Sequence, residues 1–104
     1  MSKIETYLGL SRKSNQIVIG QDNLKRFSKK LYLIVVSLTA TDNLKDLAIR
    51  LAEKFKCDLV QTLIPLEEII HINGCKIIGL TSNTLSEAII NNTNEYNLLR
   101  SRNG

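Results

Sequence analysis

Six consecutive apolar residues, Leu31-Tyr-Leu-Ile-Val-Val36, constrain what this chain can become more than any other segment. The run is rich in β-formers and shows no polar alternation. A strand buried on both faces reads this way, and such strands belong to sheets with helices on both sides.

The flanking segments supply those helices. Ile4, Tyr7, Leu8 and Ser11 share one helical face, so residues 3–14 read as an amphipathic helix. Arg12 and Lys13 fall in its last turn, at the negative end of the macrodipole. Asn15 ends it as an αL-tolerant residue. Ile17-Val-Ile is a short strand closed by Gly20, and residues 22–28 read as a short helix. Thr39-Ala-Thr-Asp42 carries helix-capping chemistry. Leu44, Leu47, Ala48, Leu51 and Phe55 then mark the apolar face of a helix over roughly 42–56. Residues 58–62 fit a short strand. Pro65 suits a first helical turn, with Leu66, Ile69 and Ile70 as the apolar side of that helix. Residues 71–75 are a turn and 76–81 the last strand. Ser82 or Thr84 caps a final helix, with Glu87 placed to complete a capping box with Thr84.

The order α-β-α-β-α-β-α-β-α predicts an α/β fold, a three-layer α/β/α sandwich around a mixed, mostly parallel sheet of about four strands. Residues 1–92 make a single domain. Residues 93–104 read as a polar, Asn-rich tail that frays.

With no Trp and only three Tyr and two Phe among 104 residues, the core must be aliphatic. No stretch approaches the roughly 18 apolar residues of a membrane helix. Met1-Ser-Lys-Ile-Glu-Thr-Tyr lacks the apolar run of a signal peptide, so a cytoplasmic protein without a membrane partner is expected. Cys57 and Cys75 are far apart and form no Cys-x-x-Cys; they read as small buried hydrophobes.

Chemistry-bearing patterns are few. Phosphate-cradling glycine loops and the nucleophile elbow are absent. The single histidine, His71, has no partner at metal-ligand spacing and reads as a solvated or capping residue. Glu67 and Glu68 are adjacent, so on a helix they do not face each other; they read as a solvated first turn. The expectation is therefore a protein with no catalytic residues, no metal and no cofactor.

Two junctions stand out instead. Gly20-Gln-Asp-Asn-Leu-Lys-Arg26 is a strand-to-helix turn. A helix start offers free N–H groups that suit a phosphate. Gln21 and Asn23 both donate and accept, so they can read base edges. Lys25, Arg26, Lys29 and Lys30 add cations on or just after the same helix. The second junction is Ile70-His-Ile-Asn-Gly-Cys75, where apolar side chains can stack on an unpaired base and Gly74 allows close backbone approach. The net charge of +4 permits a polyanionic partner. Charge alone would give only nonspecific binding, with Kd on the order of 10⁻⁴ to 10⁻⁶ M.

From about Tyr7 to Ile90 the chain resembles the YlxQ-like bacterial proteins of the ribosomal L-seven-Ae superfamily, which includes kink-turn RNA binders. Leu8-Gly-Leu-Ser-Arg-Lys13 resembles the family's opening helix, and Gln16-Ile-Val-Ile-Gly20 its short strand and glycine. Leu31-Tyr-Leu-Ile-Val-Val36 resembles its central strand. Leu66-Glu-Glu-Ile69 through Asn73-Gly74 resembles its loop region. Ile77-Ile-Gly-Leu-Thr81 and Leu85-Ser-Glu-Ala-Ile89 resemble its closing strand and helix.

The resemblance implies an α/β/α sandwich that contacts structured RNA at the same two junctions. It implies a ribosomal or translation-factor protein as a further partner. Gly20 would let the backbone approach the RNA. Asp22 and Asn23 would lie where the family reads bases, and Lys25 or Arg26 would supply a cation. Ile70, Ile72, Asn73 and Gly74 would meet a flipped-out base. Three departures stand in the sequence. The stretch between Gly20 and Leu31 is a few residues shorter than the family pattern. Asp22 occupies the family's Asn position and Asn23 its acidic one. Ser37-Leu38-Thr39 replaces the acidic residue usual after the central strand. Two function classes follow: an RNA-binding accessory factor of translation, and a protein-interaction module that keeps the fold without specific RNA reading.

Overall fold

The computed structural model describes residues 3–102. In chain order the elements are α1 (Lys3–Lys13), β1 (Ile17–Ile19), α2 (Gln21–Arg26), β2 (Leu33–Val36), α3 (Asp42–Phe55), β3 (Asp58–Thr62), α4 (Leu66–Ile70), β4 (Ile77–Leu80), α5 (Asn83–Ile90), a 3₁₀ turn (Thr93–Glu95) and β5 (Tyr96–Arg100).

The central strand behaves as its composition demands. All four residues of β2 are buried, and alternate side chains point to opposite faces. Leu33 and Val35 join Leu8, Ile69 and Ile89 in one cluster, so α1, α4 and α5 cover that face. Ile34 and Val36 join Leu24, Ala48 and Leu51 in the other, so α2 and α3 cover the second face. The result is a three-layer sandwich. Each fully buried Leu, Ile or Val contributes roughly 1.5–3 kcal/mol of transfer free energy.

Local signals set the helix ends. Asn15 takes φ 57°, and the Gln16 N–H reaches back to the Ser11 carbonyl at 2.8 Å. Lys56 closes α3 in the same left-handed way. Thr41 caps α3 by accepting the Leu44 N–H. Of the two candidate caps for α5, Ser82 is used: its Oγ accepts the Leu85 N–H. Thr84 therefore lies inside the first turn, where a capping box with Glu87 is out of register.

The sheet has five strands in the order β1-β4-β2-β3-β5, which corrects the expected four. It is mixed, but β2 and β3 are its one parallel pair; β1·β4, β2·β4 and β3·β5 are antiparallel. The expectation of a mostly parallel sheet fails at α4. A parallel return needs a crossover of a dozen residues or more, usually a helix. The five residues of α4 advance only about 7.5 Å, too little to carry the chain back along the sheet. β4 therefore starts at the end where β3 finishes and runs back between β1 and β2.

The second correction concerns residues 93–104. The segment does not fray over the residues described: β5 pairs with β3 along the sheet edge; positions 103 and 104 lie outside the described residues. Tyr96 is buried, and its hydroxyl donates to the Ile90 carbonyl. The Glu95 carboxylate accepts from the N–H groups of Lys3 and Ile4 at the start of α1. The Arg100 guanidinium donates to the carbonyls of Ala52 and Cys57, and the Arg102 N–H donates to Asp58 Oδ1 at 2.7 Å. Backbone pairing supplies most of this order, and backbone pairing leaves little trace in composition.

Gly79 in β4 couples the sheet to α2. A Cβ there would lie 2.7 Å from Leu24 Cδ2 and 3.1 Å from Leu31 Cδ1. Gly79→Val is expected to cost about 1–3 kcal/mol by overpacking and to displace α2, read by denaturant unfolding and by amide shifts over residues 20–26. Tyr96→Ala is expected to cost about 3–5 kcal/mol. A loss below about 0.5 kcal/mol, the scale of an ordinary surface substitution, would mean that β5 does not hold the sheet edge.

Candidate functional site

The two junctions singled out in the sequence lie side by side. Gly20 has φ 89°, and its N–H donates to the Ile77 carbonyl at 3.0 Å. This bond straps the β1–α2 turn to the first residue of β4, directly after the 71–76 loop. Between the two lies an open cleft of about 550 Å³. Gly20 and Gln21 line one side, and Ile72, Asn73 and Gly74 line the other. No Asp or Glu is among the described lining residues.

The 71–76 loop is held by a clasp centred on Glu67. Glu67 Oε2 accepts the Gly74 N–H at 3.2 Å, and Oε1 accepts from Lys76 Nζ at 3.0 Å. Lys76 Nζ also donates to Thr39 Oγ1. Thr39 is hydrogen-bonded to Ser37, whose Oγ accepts the Leu66 N–H. Loops after β2, after β3 and before β4 are thus tied together. The Lys76 ammonium, first among the causes, holds the Glu67 carboxyl below the ordinary glutamate range. Glu67 is therefore a clasp and not a solvated first turn. The 71–76 loop turns through two left-handed residues, His71 at φ 59° and Gly74 at φ 75°.

On the first junction, α2 presents its charges outward. Gln21, Asp22, Asn23, Lys25 and Arg26 are exposed, while Leu24 is buried against the sheet. Lys29 and Lys30 follow in the exposed loop, where Lys30 lies over the Tyr32 ring. Asn23 is already engaged: its Nδ2 donates to the Ile19 carbonyl at 2.7 Å, and its Oδ1 accepts from Arg26 Nη2 at 3.0 Å. It holds the Arg26 guanidinium by one bond, and Arg26 stays exposed. Among the described residues, no carboxylate lies within 4.0 Å of Lys25, Arg26 or Lys29.

One expected contact is placed elsewhere. Ile70 is 3% exposed and belongs to the core beneath α1 and α4, so its side chain has no face to offer a base. Its carbonyl accepts from Arg12 Nη1 at 2.8 Å. Ile72 is half-buried and lines the cleft, and Asn73 and Gly74 are exposed there. Burial falls on Ile70 because it ends a helical turn and Ile72 lies beyond it.

Sequence reading missed a third wall. Thr41, Asn43 and Leu44, at the start of α3, line the same cleft. The capping signature located that helix start, but nothing local to it says which loops it faces. Lys76 was likewise missed, since its position depends on Glu67.

The other reactive side chains are either buried or exposed singly. Both cysteines are free and buried. Burial, with Asp58 adding to it, pushes the Cys57 thiol up to about 11. Burial also raises Cys75, so at neutral pH neither is a thiolate nucleophile. His71 is exposed, 3.9 Å from Glu5 Oε2. Among the described residues, no three His, Cys, Asp or Glu side chains converge to hold a metal ion, and no helix is long and apolar enough to cross a membrane.

The chain matches no protein-family model and no curated protein. The geometry of the cleft therefore carries the functional argument.

The clasp makes a pH prediction. The folded-state value of Glu67 is depressed, so its stabilising contribution is complete above the ordinary glutamate value and is lost as pH falls through the lower folded value. The Gly74 amide resonance is expected to titrate with a midpoint below that of an exposed glutamate, and to lose this titration in Glu67→Gln. A midpoint at or above the ordinary value would show that the clasp is not formed.

Proposed function

We propose that this protein binds structured RNA and catalyses no reaction on it. The observation that carries the reading is the convergence of two glycine-bearing turns on one cleft with no Asp or Glu among its described lining residues. The helix that starts at its edge and the loop after it carry Lys25, Arg26 and Lys29, with no carboxylate within 4.0 Å of them among the described residues. Phosphate contacts position an RNA and base-edge contacts specify it. The three cations supply the first kind. Gln21 and Asn73, at opposite sides of the cleft, supply the second, because each side-chain amide donates and accepts. Ile72 offers an apolar wall for an unpaired base. Asn23 acts through Arg26, by holding its guanidinium. Asp22 meets RNA favourably only where it accepts from a base amine such as that of cytosine.

The RNA class this arrangement suits is a kinked or bulged helix, because only a distorted helix presents an unpaired base together with an accessible groove. With the resemblance to YlxQ-like proteins of the ribosomal L-seven-Ae superfamily, the reading becomes a cytoplasmic accessory factor of the ribosome or translation apparatus, with a ribosomal or translation-factor protein as a neighbour.

A second reading, a protein-interaction module, draws on one specific feature. Leu38, Leu63 and Ile64 are exposed at the ends of β2 and β3, where the Leu38 N–H donates to Thr62 Oγ1. Partners that stay bound after nuclease treatment of a lysate favour this reading over the first.

Arg26→Ala is expected to weaken binding to a bulged RNA duplex and to reduce the slope of log K against log salt by about 0.9, one phosphate contact. An affinity unchanged at every salt concentration would remove Arg26 from the interface.

A further inference from the structure

Ile19 borders the cleft and also a second groove, of about 390 Å³. Its polar lining is Arg12, Asn15 and Asn23, set along the three residues of β1. Among the described residues β1 ends the sheet and pairs only with β4; on its outer edge the Ile19 carbonyl accepts from Asn23 Nδ2. No carboxylate is among the described lining residues.

The groove is built and not merely charged. Arg12 is anchored through Nη1 to the Ile70 carbonyl at 2.8 Å. That bond leaves the charge intact and the rest of the guanidinium fork open, and no carboxylate lies within 4.0 Å among the described residues. Asn15 stands at the end of α1 with φ 57° and its side chain exposed. On the α2 side, Asn23 holds Arg26 as described. The groove's own guanidinium, Arg12, is therefore held by a backbone carbonyl, with the Asn15 and Asn23 amides beside it.

We infer that Arg12 and Asn15 form a second RNA contact, gripping the phosphodiester backbone of a strand that crosses the outer edge of β1. This rests on the RNA-binding reading above and extends it to Arg12 and Asn15, which that reading does not use. A rigid, planar guanidinium suits bidentate contact with a phosphate. A groove that runs along all three residues of β1, with Arg12 and two amides in its lining, suits an extended strand better than one small anion. The cleft and the groove adjoin at Ile19, so a bent RNA reaches both at once.

The test is binding of the full chain to a short RNA duplex carrying a bulge, measured over a range of KCl concentrations. Arg12→Gln removes the charge and leaves a polar amide on that face of α1. Asn15→Gly removes the amide and suits the positive φ, so it strains nothing. Arg12→Gln is expected to raise Kd by roughly tenfold and to lower the salt slope by about 0.9. Asn15→Gly is expected to raise Kd by roughly two- to fivefold, one hydrogen bond, with the slope unchanged. If both variants bind like the parent while Arg26→Ala binds more weakly, the groove is not a contact and the RNA reading survives. A weakened Arg12→Gln with an unaltered slope also overturns the phosphate assignment. If the parent chain binds neither the bulged nor a straight duplex, both proposals fall together.

Discussion

Burial of β2 on both of its faces is the constraint from which the rest of the molecule follows. A strand whose every side chain is apolar leaves no face for water. Two helical layers must cover it, and Leu33 with Val35 on one side and Ile34 with Val36 on the other define what those layers pack against. α3, the longest helix, covers one face and forms the single parallel crossover, between β2 and β3. β4, running back beside β2, inherits the same double burial: Ile77 packs toward one cluster and Ile78 toward the other.

The shortness of α4 then decides where a site can be. Because β4 returns from the end at which β3 finishes, the loop before it is delivered next to the β1–α2 turn. The hydrogen bond from the Gly20 N–H to the Ile77 carbonyl fastens the two. A parallel β4 would have placed that loop at the far end of the sheet. The cleft is thus a consequence of strand direction, and strand direction is a consequence of helix length.

Rigidity in the cleft comes from polar bonds more than from packing. Glu67 spans Gly74 and Lys76, and Thr39 with Ser37 extends the tie to the loop after β2. Outside the cleft, on α2, Asn23 holds Arg26. Both arrangements hold side chains in place before any ligand arrives, which lowers the ordering cost of binding. Each also removes a side chain from direct contact: Glu67 and Asn23 orient their neighbours, while Lys25, Arg26 and Lys29 keep their charge open to solvent.

The chain's own order of residues determined where helices and strands form. Periodicity, Thr41 and Ser82 as caps, and Asn15 as an αL terminator are local signals, complete within one or two turns. It also marked Gly20, Gln21, Ile72, Asn73 and Gly74 as belonging to two suggestive turns. Only the tertiary structure decided that these turns meet, that α3 supplies a third wall, that Ile70 is core, that Asn23 is engaged, and that Tyr96–Arg100 completes the sheet. Apart from Asn23, whose partners Ile19 and Arg26 are local, these depend on segments far away in the chain: Ile77 for Gly20, α1 over Ile70, β3 for β5. Pairing of that kind is made largely by backbone groups common to every residue, so the side-chain pattern of one segment carries little record of it.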